Sequence, residues 1–118
     1  AYKMAMLLEV INFTIPGVPC VYQGDEYGEA GANDPDNRHM MKFSGLNPEQ
    51  KAFREKVQQL AQLRRNNMAL MYGEYIPVAI SDTKMHFQRM YMGDVVDVVI
   101  DLHGESSITI NGDKVFTL

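Results

Sequence analysis

The N-terminal segment of the chain is apolar on almost every side. Residues 3–14 carry a run of large apolar side chains: Met4, Met6, Leu7, Leu8, Val10, Ile11 and Phe13. No Gly or Pro interrupts them, and most of these residues favour a helix. The pattern predicts a helix over residues 3–14 that is buried on more than one face. Pro16 and Gly17 are expected to end it, because Pro lacks an amide donor and Gly frees the backbone.

A shorter apolar run follows over residues 18–22 and gives way to Gly24, Asp25 and Glu26. It predicts a strand over residues 18–23. A run of this length bounded by Pro and Gly is typical of a buried strand. Residues 24–43 are then rich in Gly, Asp, Asn and Pro, which predicts a loop. Ligands of α/β folds bind at the carboxyl ends of strands, so this loop is the first candidate for a site.

A second amphipathic segment starts at Asn47, which is a good helix cap. A Pro follows it, and a Gln stands three residues after the cap, as in a capping box. One apolar stripe at helical spacing comprises Phe53, Val57, Leu60 and Ala61. We expect Asn66 and Asn67 to end the helix, with Arg64 and Arg65 solvated near its negative end.

Beyond Gly73 the apolar positions recur at every second residue, which indicates strands. Residues 74–80 contain Pro77 and are therefore expected to form an edge strand. Two tight turns are indicated further on, by Met92-Gly93 and Asn111-Gly112-Asp113. Residues 84–91 and 94–101 flank the first turn, and residues 107–110 and 114–118 flank the second. The pattern predicts a small antiparallel β region.

Composition narrows the function classes. The chain has 118 residues, 46% of them hydrophobic, a net charge of −4 and a pI near 5.2. There is no basic stripe to neutralise phosphates, which argues against a nucleic-acid partner. No apolar run is long enough to span a membrane, so no membrane partner is expected. Cys20 is the one cysteine. It excludes an intrachain disulfide and is expected to be a small buried hydrophobe.

Two linked motifs resemble a known family. Residues 17–19, Gly-Val-Pro, followed by Tyr22-x-Gly24-Asp25-Glu26, resemble the last barrel strand of glycoside hydrolase family 13, the α-amylase family. The loop at residues 33–38, Asn-Asp-Pro-Asp-Asn-Arg, resembles the segment after that strand, most closely in the neopullulanase, cyclomaltodextrinase and maltogenic-amylase branch.

The resemblance implies an α+β chain with two parts. Residues 1–72 would be the last strand and flanking helices of a (β/α)8 barrel, and residues 73–118 a small antiparallel β domain. The chain is too short for a whole barrel, which needs roughly 200 residues or more. The parent would hydrolyse or transfer α-1,4-linked glucans by a retaining double displacement. For this chain we expect no cofactor and no metal ligands.

The catalytic carboxylates of the family come from earlier strands, and nothing in this chain resembles those motifs. Neighbouring strand residues point to opposite faces, so Asp25 and Glu26 cannot address one glycosidic bond together. Together with Gly24 they are expected to hold the loop, their carboxylates accepting main-chain hydrogen bonds at the strand end. We therefore expect no catalytic residue here.

Asp34 and Arg38 are the candidate substrate-binding residues. Four apart in a loop, a carboxylate and a guanidinium can converge on adjacent sugar hydroxyls, one accepting and the other donating hydrogen bonds. The matching family residues bind glucose units on the non-reducing side of the cleavage point. The alternative is an ion pair that only rigidifies the loop. Tyr27 is a candidate for stacking on a sugar, and His39 for bonding a hydroxyl.

An EF-hand calcium loop is rejected, because Arg38 and His39 stand where a ligand and a Gly are required. Tyr22 is expected in the core, and His86 and His103 are expected to be structural or solvated. Because the first helix and strand lack barrel neighbours, self-association is expected.

Two rival functions remain open. One is a free-standing carbohydrate-binding module built on the β region. It would need an exposed aromatic platform, for which Phe87, Tyr91 and Phe116 are the available aromatic residues. The other is a purely structural domain.

Overall fold

A computed structural model describes residues 2–118 of the chain. Within them the helices are α1 (Tyr2–Thr14), α2 (Pro48–Asn66) and α3 (Met68–Tyr72), with a 3₁₀ turn at Asp25–Tyr27. The strands are β1 (Glu74–Ile80), β2 (Lys84–Tyr91), β3 (Asp94–Asp101), β4 (Ser107–Ile110) and β5 (Asp113–Thr117). Helices on a small antiparallel sheet make this an α+β chain.

Helix α2 begins where its capping chemistry predicts. The side-chain oxygen of Asn47 accepts a hydrogen bond of 2.8 Å from the amide of Gln50. The side-chain oxygen of Gln50 accepts one of 3.0 Å from the amide of Asn47. The capping box thus satisfies two amides that the helix itself leaves without partners. The predicted start and the predicted end at Asn66 are confirmed.

Helix α1 is confirmed, but it is buried on one face only. The buried positions recur at helical spacing: Met6, Leu7, Val10, Phe13 and Thr14. Met4 and Leu8 point away from that face and are 52% and 60% exposed. The predicted burial on more than one face is therefore wrong. The chain provides α2 as a packing partner for α1, and a single neighbouring helix covers a single stripe.

The strand expected over residues 18–23 is absent from the structure, so that prediction is wrong for this chain. Val18 is 95% exposed and Tyr22 is 53% exposed, although both were expected to be buried. Cys20 is exposed as well. A buried strand needs neighbours to accept its main-chain hydrogen bonds on both sides. The described strands all belong to the antiparallel sheet, which leaves this segment without a neighbour.

Arg64, expected to be solvated, is buried instead. Its guanidinium donates to the carbonyls of Phe13 at 2.9 Å and Ile15 at 3.0 Å, and also to that of Gly17. These carbonyls lie at and just beyond the end of α1, where no amide of the helix remains to bond them. Burial lowers the pKa of Arg64. Only Arg65 is exposed as predicted.

The five strands pair in chain order as an antiparallel meander, β1-β2-β3-β4-β5. Both predicted turns are confirmed and have the left-handed backbone that tight hairpins require. The φ angles are 47° at Met92 and 89° at Gly93, and 49° at Asn111 and 88° at Gly112. Strand β1 lies at the edge, and its register shifts just after Pro77. Pro is tolerated there because an edge strand keeps one unpaired side.

One hydrophobic core joins the helices to the sheet. Buried residues of the sheet, among them Phe87, Val98 and Ile108, belong to the same cluster as Met6, Leu60 and Leu70 of the helices. The division into residues 1–72 and 73–118 stays a prediction. The loop of residues 24–43 lies outside this core and is mostly exposed, apart from Tyr27 and Gly24.

Candidate functional site

Two glycines shape the start of the loop. Gly24 and Gly28 flank the 3₁₀ turn with φ angles of 96° and 72°, which side chains other than Gly rarely adopt. A Cβ at Gly24 would also lie only 2.8 Å from the Cβ of Glu29. Asp25 accepts a hydrogen bond of 3.1 Å from the amide of Tyr22, and Glu26 one of 2.9 Å from the amide of Gly24. Both carboxylates thus bond to main-chain amides at the turn.

Tyr27 lies beneath the loop rather than on it. Its side chain is 1% exposed, and its hydroxyl accepts a hydrogen bond of 3.1 Å from the amide of Lys42. In this position the ring has no open face for a sugar. It anchors the far end of the loop to the helices. Tyr22, which the sequence pattern had assigned to the core, is exposed instead.

Asp34 and Arg38 form an ion pair on the outer part of the loop. Nη2 of Arg38 lies 2.8 Å from Oδ2 of Asp34, and the two side chains are 68% and 59% exposed. Main-chain hydrogen bonds from Asp36 to Asn33 and from Arg38 to Pro35 coil the backbone between them. A guanidinium has five donors and a carboxylate about four acceptor positions. One mutual bond therefore leaves most of their hydrogen-bonding capacity for a ligand.

His39 lies between two carboxylates. Its Nδ1 is 2.9 Å from Oε1 of Glu29, and its Nε2 is 3.0 Å from Oδ1 of Asp36. Bonding to Glu29 first, and to Asp36 second, raises the pKa of His39. The pKa of Asp36 is lowered by the amide of Ala32 first and by His39 second. Both ring nitrogens are engaged within the protein, so the imidazole bridges two parts of the loop.

A pocket of about 230 Å³ opens beside this bridge. Its polar lining includes Asp25, Glu29, Asp36 and His39, and Tyr22 supplies an aromatic wall. Asp34 and Arg38 are not part of the lining and lie on the neighbouring outer stretch of the loop. Sequence analysis missed Glu29 and Asp36. The three-residue spacing of Asp36 and His39 in one polar loop was the signal that would have indicated their pairing.

The structure also describes the side chains that bear on other functions. Within residues 2–118, no group of three or more His, Cys, Asp or Glu side chains is placed to share a metal ion. No helix among these residues is both long and apolar enough to cross a bilayer.

His86 bonds Asp97 at 2.8 Å on the sheet, away from the loop. Phe87 and Phe116 are buried, being 0% and 3% exposed, so neither offers a binding platform.

Comparison with known proteins finds sequence relatives of this chain. No protein-family model matches it. It is 37% identical to a cyclomaltodextrin glucanotransferase of Geobacillus stearothermophilus over 93% of the chain and 15% of that enzyme. It is 33% identical to a cyclomaltodextrinase of Geobacillus thermopakistaniensis over 89% of the chain and 18% of that enzyme. The chain thus spans less than a fifth of the length of these relatives.

Solved structures agree with the sequence relatives. The α-amylase of Geobacillus thermoleovorans, solved with acarbose, matches 92% of the chain with a TM-score of 0.76 and 25% identity, over 24% of its own chain. A cyclic maltosyl-maltose hydrolase of Arthrobacter globiformis matches the fold with a TM-score of 0.78 at 20% identity, over the whole chain and 30% of its own.

The chain is therefore a homologue of one region of the α-amylase-family glycosidases, as its motifs predicted. Within that family its homologues include cyclomaltodextrin glucanotransferases, cyclomaltodextrinases and an amylopullulanase.

Proposed function

We propose that this chain is the C-terminal part of an α-amylase-family enzyme and carries a substrate-binding loop, but not the catalytic carboxylates. The parent would act on α-glucosidic bonds of starch-type oligosaccharides by the retaining mechanism. Residues 1–72 would complete its barrel, and residues 73–118 would form its C-terminal β domain. The proposal is supported by the length of the relatives, because the matched region is only 15% of the cyclomaltodextrin glucanotransferase. It is also supported by the exposed apolar segment at residues 18–22, which would pair with strands supplied by the rest of the barrel.

The exposed Asp34–Arg38 ion pair is the observation that carries the binding role. The two groups lie 2.8 Å apart and face solvent. A glucose unit presents hydroxyls on adjacent carbons, and each hydroxyl both donates and accepts hydrogen bonds. A carboxylate next to a guanidinium therefore matches a pair of neighbouring hydroxyls. Bonds to charged groups are the strong class of hydrogen bond, which suits a site for a neutral ligand.

The other predicted site residues take supporting roles in this proposal. Tyr27 is buried and His39 is engaged with two carboxylates, so both would hold the loop rather than touch the sugar. Asp25 and Glu26 each accept a main-chain hydrogen bond. A retaining glycosidase needs two carboxyl groups that flank one bond, and carboxylates occupied in this way suit a structural role. Catalysis would then belong to the remainder of the parent.

The alternative hypothesis, a free-standing carbohydrate-binding module, has less support than a substrate-binding loop. Carbohydrate modules of that kind would need an aromatic face on the sheet, and Phe87 and Phe116 are buried. Tyr91 is only partly exposed and packs near Tyr72, with ring centroids 6.4 Å apart. Tyr75 of β1 is 42% exposed, but its ring packs against Phe87 with centroids 5.1 Å apart. The polar loop is therefore the better-supported site for a ligand.

Titration of the 118-residue chain with maltohexaose, followed by NMR, tests the proposal. We expect shift changes in the loop of residues 24–43, and none with cellohexaose, whose glucose units are joined by β-linkages. Asp34→Asn and Arg38→Gln should each weaken binding by about tenfold or more. Lys114→Gln is the matched control, because it removes a similarly exposed ion pair between Lys114 of β5 and Glu105 of the β3–β4 loop. Equal effects of all three changes, or shifts confined to the sheet, would contradict the proposal.

The same preparation tests the absence of catalysis. Incubated with maltooligosaccharides or starch, the chain should release no reducing sugar. Turnover that survives repurification and scales with protein concentration would place catalytic carboxylates within this chain and overturn that part of the proposal.

A further inference from the structure

His39 connects the two ends of the loop that carries Asp34 and Arg38. On one side Glu29 is tied to the 3₁₀ turn, since its amide donates a hydrogen bond of 2.9 Å to the carbonyl of Gly24. On the other side the second oxygen of Asp36 accepts a bond of 2.7 Å from the amide of Ala32. The imidazole of His39 joins these two carboxylates, and the side chain of Gln23 donates a hydrogen bond of 2.9 Å to the carbonyl of His39. His39 is therefore a point at which the outer stretch of the loop is fastened to the residues around the turn.

This connection depends on a proton. A neutral imidazole has one N–H donor and one acceptor nitrogen, whereas the imidazolium has two donors. Carboxylates are acceptors only. With both ring nitrogens at 2.9 Å and 3.0 Å from carboxylate oxygens, only the imidazolium donates in both contacts. After loss of the proton, one carboxylate would face a nitrogen lone pair, and that contact would become repulsive.

We propose that His39 is a positioning residue whose imidazolium holds the loop of residues 24–43 in place. Glucan affinity then falls when His39 loses its proton. This inference rests on the proposed function. Neither Asp34 nor Arg38 bonds His39. The effect acts through the backbone, because Asp36 lies between the two residues and Arg38 is the immediate neighbour of His39.

The charges around the imidazole favour the protonated form. Glu29 and Asp36 bond it directly, and Asp25 lines the same pocket. The nearby cation is Lys42, whose Nζ lies 3.9 Å from Oε2 of Glu29. The pocket lining adds Tyr22 and Tyr27. Arg38 is paired with Asp34 on the outer stretch.

The sign of the pH dependence follows from these contacts. The pKa of His39 is raised, so its contribution is complete below the ordinary histidine value of about 6.5 and is lost as pH rises through the higher folded value. The pKa of Asp36 is lowered, so its contribution is present above about 3.9 and is lost only as pH falls through its still lower folded value. Loop order and glucan affinity should therefore be greatest in mildly acidic solution.

The test is the maltohexaose titration repeated between about pH 5 and pH 9, with the ring nitrogens of His39 followed by NMR. We expect affinity to fall about tenfold along the deprotonation curve of His39. His39→Gln should bind weakly throughout this range without that pH step. His39→Arg keeps a permanent cation with several donors, and it should bind tightly and also lack the step. His103→Gln, at an exposed histidine in the loop between β3 and β4, should keep the wild-type profile.

The outcomes separate this inference from the proposed function. Glucan binding that is constant across the titration of His39, or a pH step retained by His39→Gln, would overturn the positioning role and leave the binding loop intact. Binding at no pH by the wild-type chain would overturn the proposed function and the inference together. A His39→Arg variant that binds as weakly as His39→Gln would show that the cation is not what positions the loop.

Discussion

Arg89 of strand β2 donates a hydrogen bond of 2.7 Å to the carbonyl of Thr14, the last residue of α1 and 75 positions earlier in the chain. The same guanidinium reaches the carbonyls of Leu70 at 2.9 Å and of Gly73 at 2.9 Å. Its side chain is 1% exposed. One side chain thus joins the sheet to the ends of two helices, and its hydrogen bonds go to main-chain carbonyls.

Arg64 of α2 bonds carbonyls at the same end of α1. It bonds the carbonyls of Phe13 and Ile15, while Arg89 takes the carbonyl between them. The last carbonyls of a helix lack amide partners and carry the negative end of its dipole. Two buried cations are stabilised there, although the burial of Arg89 and its proximity to Arg64 lower its pKa.

Replacing Arg89 should cost more stability than any surface change on these elements. In Arg89→Met the carbonyls of Thr14, Leu70 and Gly73 lose their donor while they remain inside the protein. We expect the free energy of unfolding to fall by about 2–4 kcal/mol, measured from the urea midpoint. Arg65→Met is the control, because Arg65 is exposed on α2, and it should change stability by less than about 0.5 kcal/mol. Equal effects would show that the carbonyl contacts contribute nothing.

The capping box of α2 should be measurable separately. Asn47→Ala removes the acceptor for the amide of Gln50, and we expect a loss of about 1 kcal/mol in urea unfolding. Gln58 is exposed within the same helix, so Gln58→Ala controls for a general change of helix propensity and should be nearly neutral. A larger loss from Gln58→Ala than from Asn47→Ala would refute the assignment.

In the intact parent enzyme, Asp34 and Arg38 should affect binding of long substrates rather than the chemical step. Asp34→Ala should lower kcat/KM by roughly 10- to 100-fold, with the loss growing as more glucose units reach the loop. Arg38→Ala should have a similar effect. The double variant should lose less transition-state free energy than the two single variants together, because both groups serve one sugar. If Asp34→Ala abolishes turnover of every substrate while the fold persists, the residue is catalytic. If neither change affects kinetics, the ion pair only rigidifies the loop.

The unpartnered apolar side chains predict association of the isolated chain. Leu8 on α1 is 60% exposed and Val18 is 95% exposed, and exposed apolar surface of sufficient size finds a partner. We expect light scattering to show a mass that rises with concentration, and Leu8→Lys to suppress that rise. Met92→Lys is the control, since Met92 is 90% exposed at a hairpin turn far along the chain from α1. A strict monomer at all concentrations would contradict the prediction.

Sequence alone determined the features whose causes are local. The capping box at Asn47, the left-handed turn at Asn111-Gly112 and the edge position of the strand with Pro77 were all predicted correctly. In each case a few adjacent residues contain the whole physical cause, namely a side-chain acceptor, a permitted φ angle or a missing amide. The family resemblance also depended on short motifs, and the comparisons confirmed it.

Tertiary structure decided the features that depend on partners distant in the chain. Residues 18–23 have the composition of a buried strand, yet they are exposed because a strand forms only where neighbours complete its hydrogen bonds. Arg64 has the pattern of a solvated helix end, yet it is buried because the carbonyls of α1 lie within its reach. Likewise, His39 became a bridge only when folding brought Glu29 and Asp36 to opposite sides of one ring. Hydrogen-bond partners separated by many residues leave no periodic pattern in the sequence, so only the folded chain shows them.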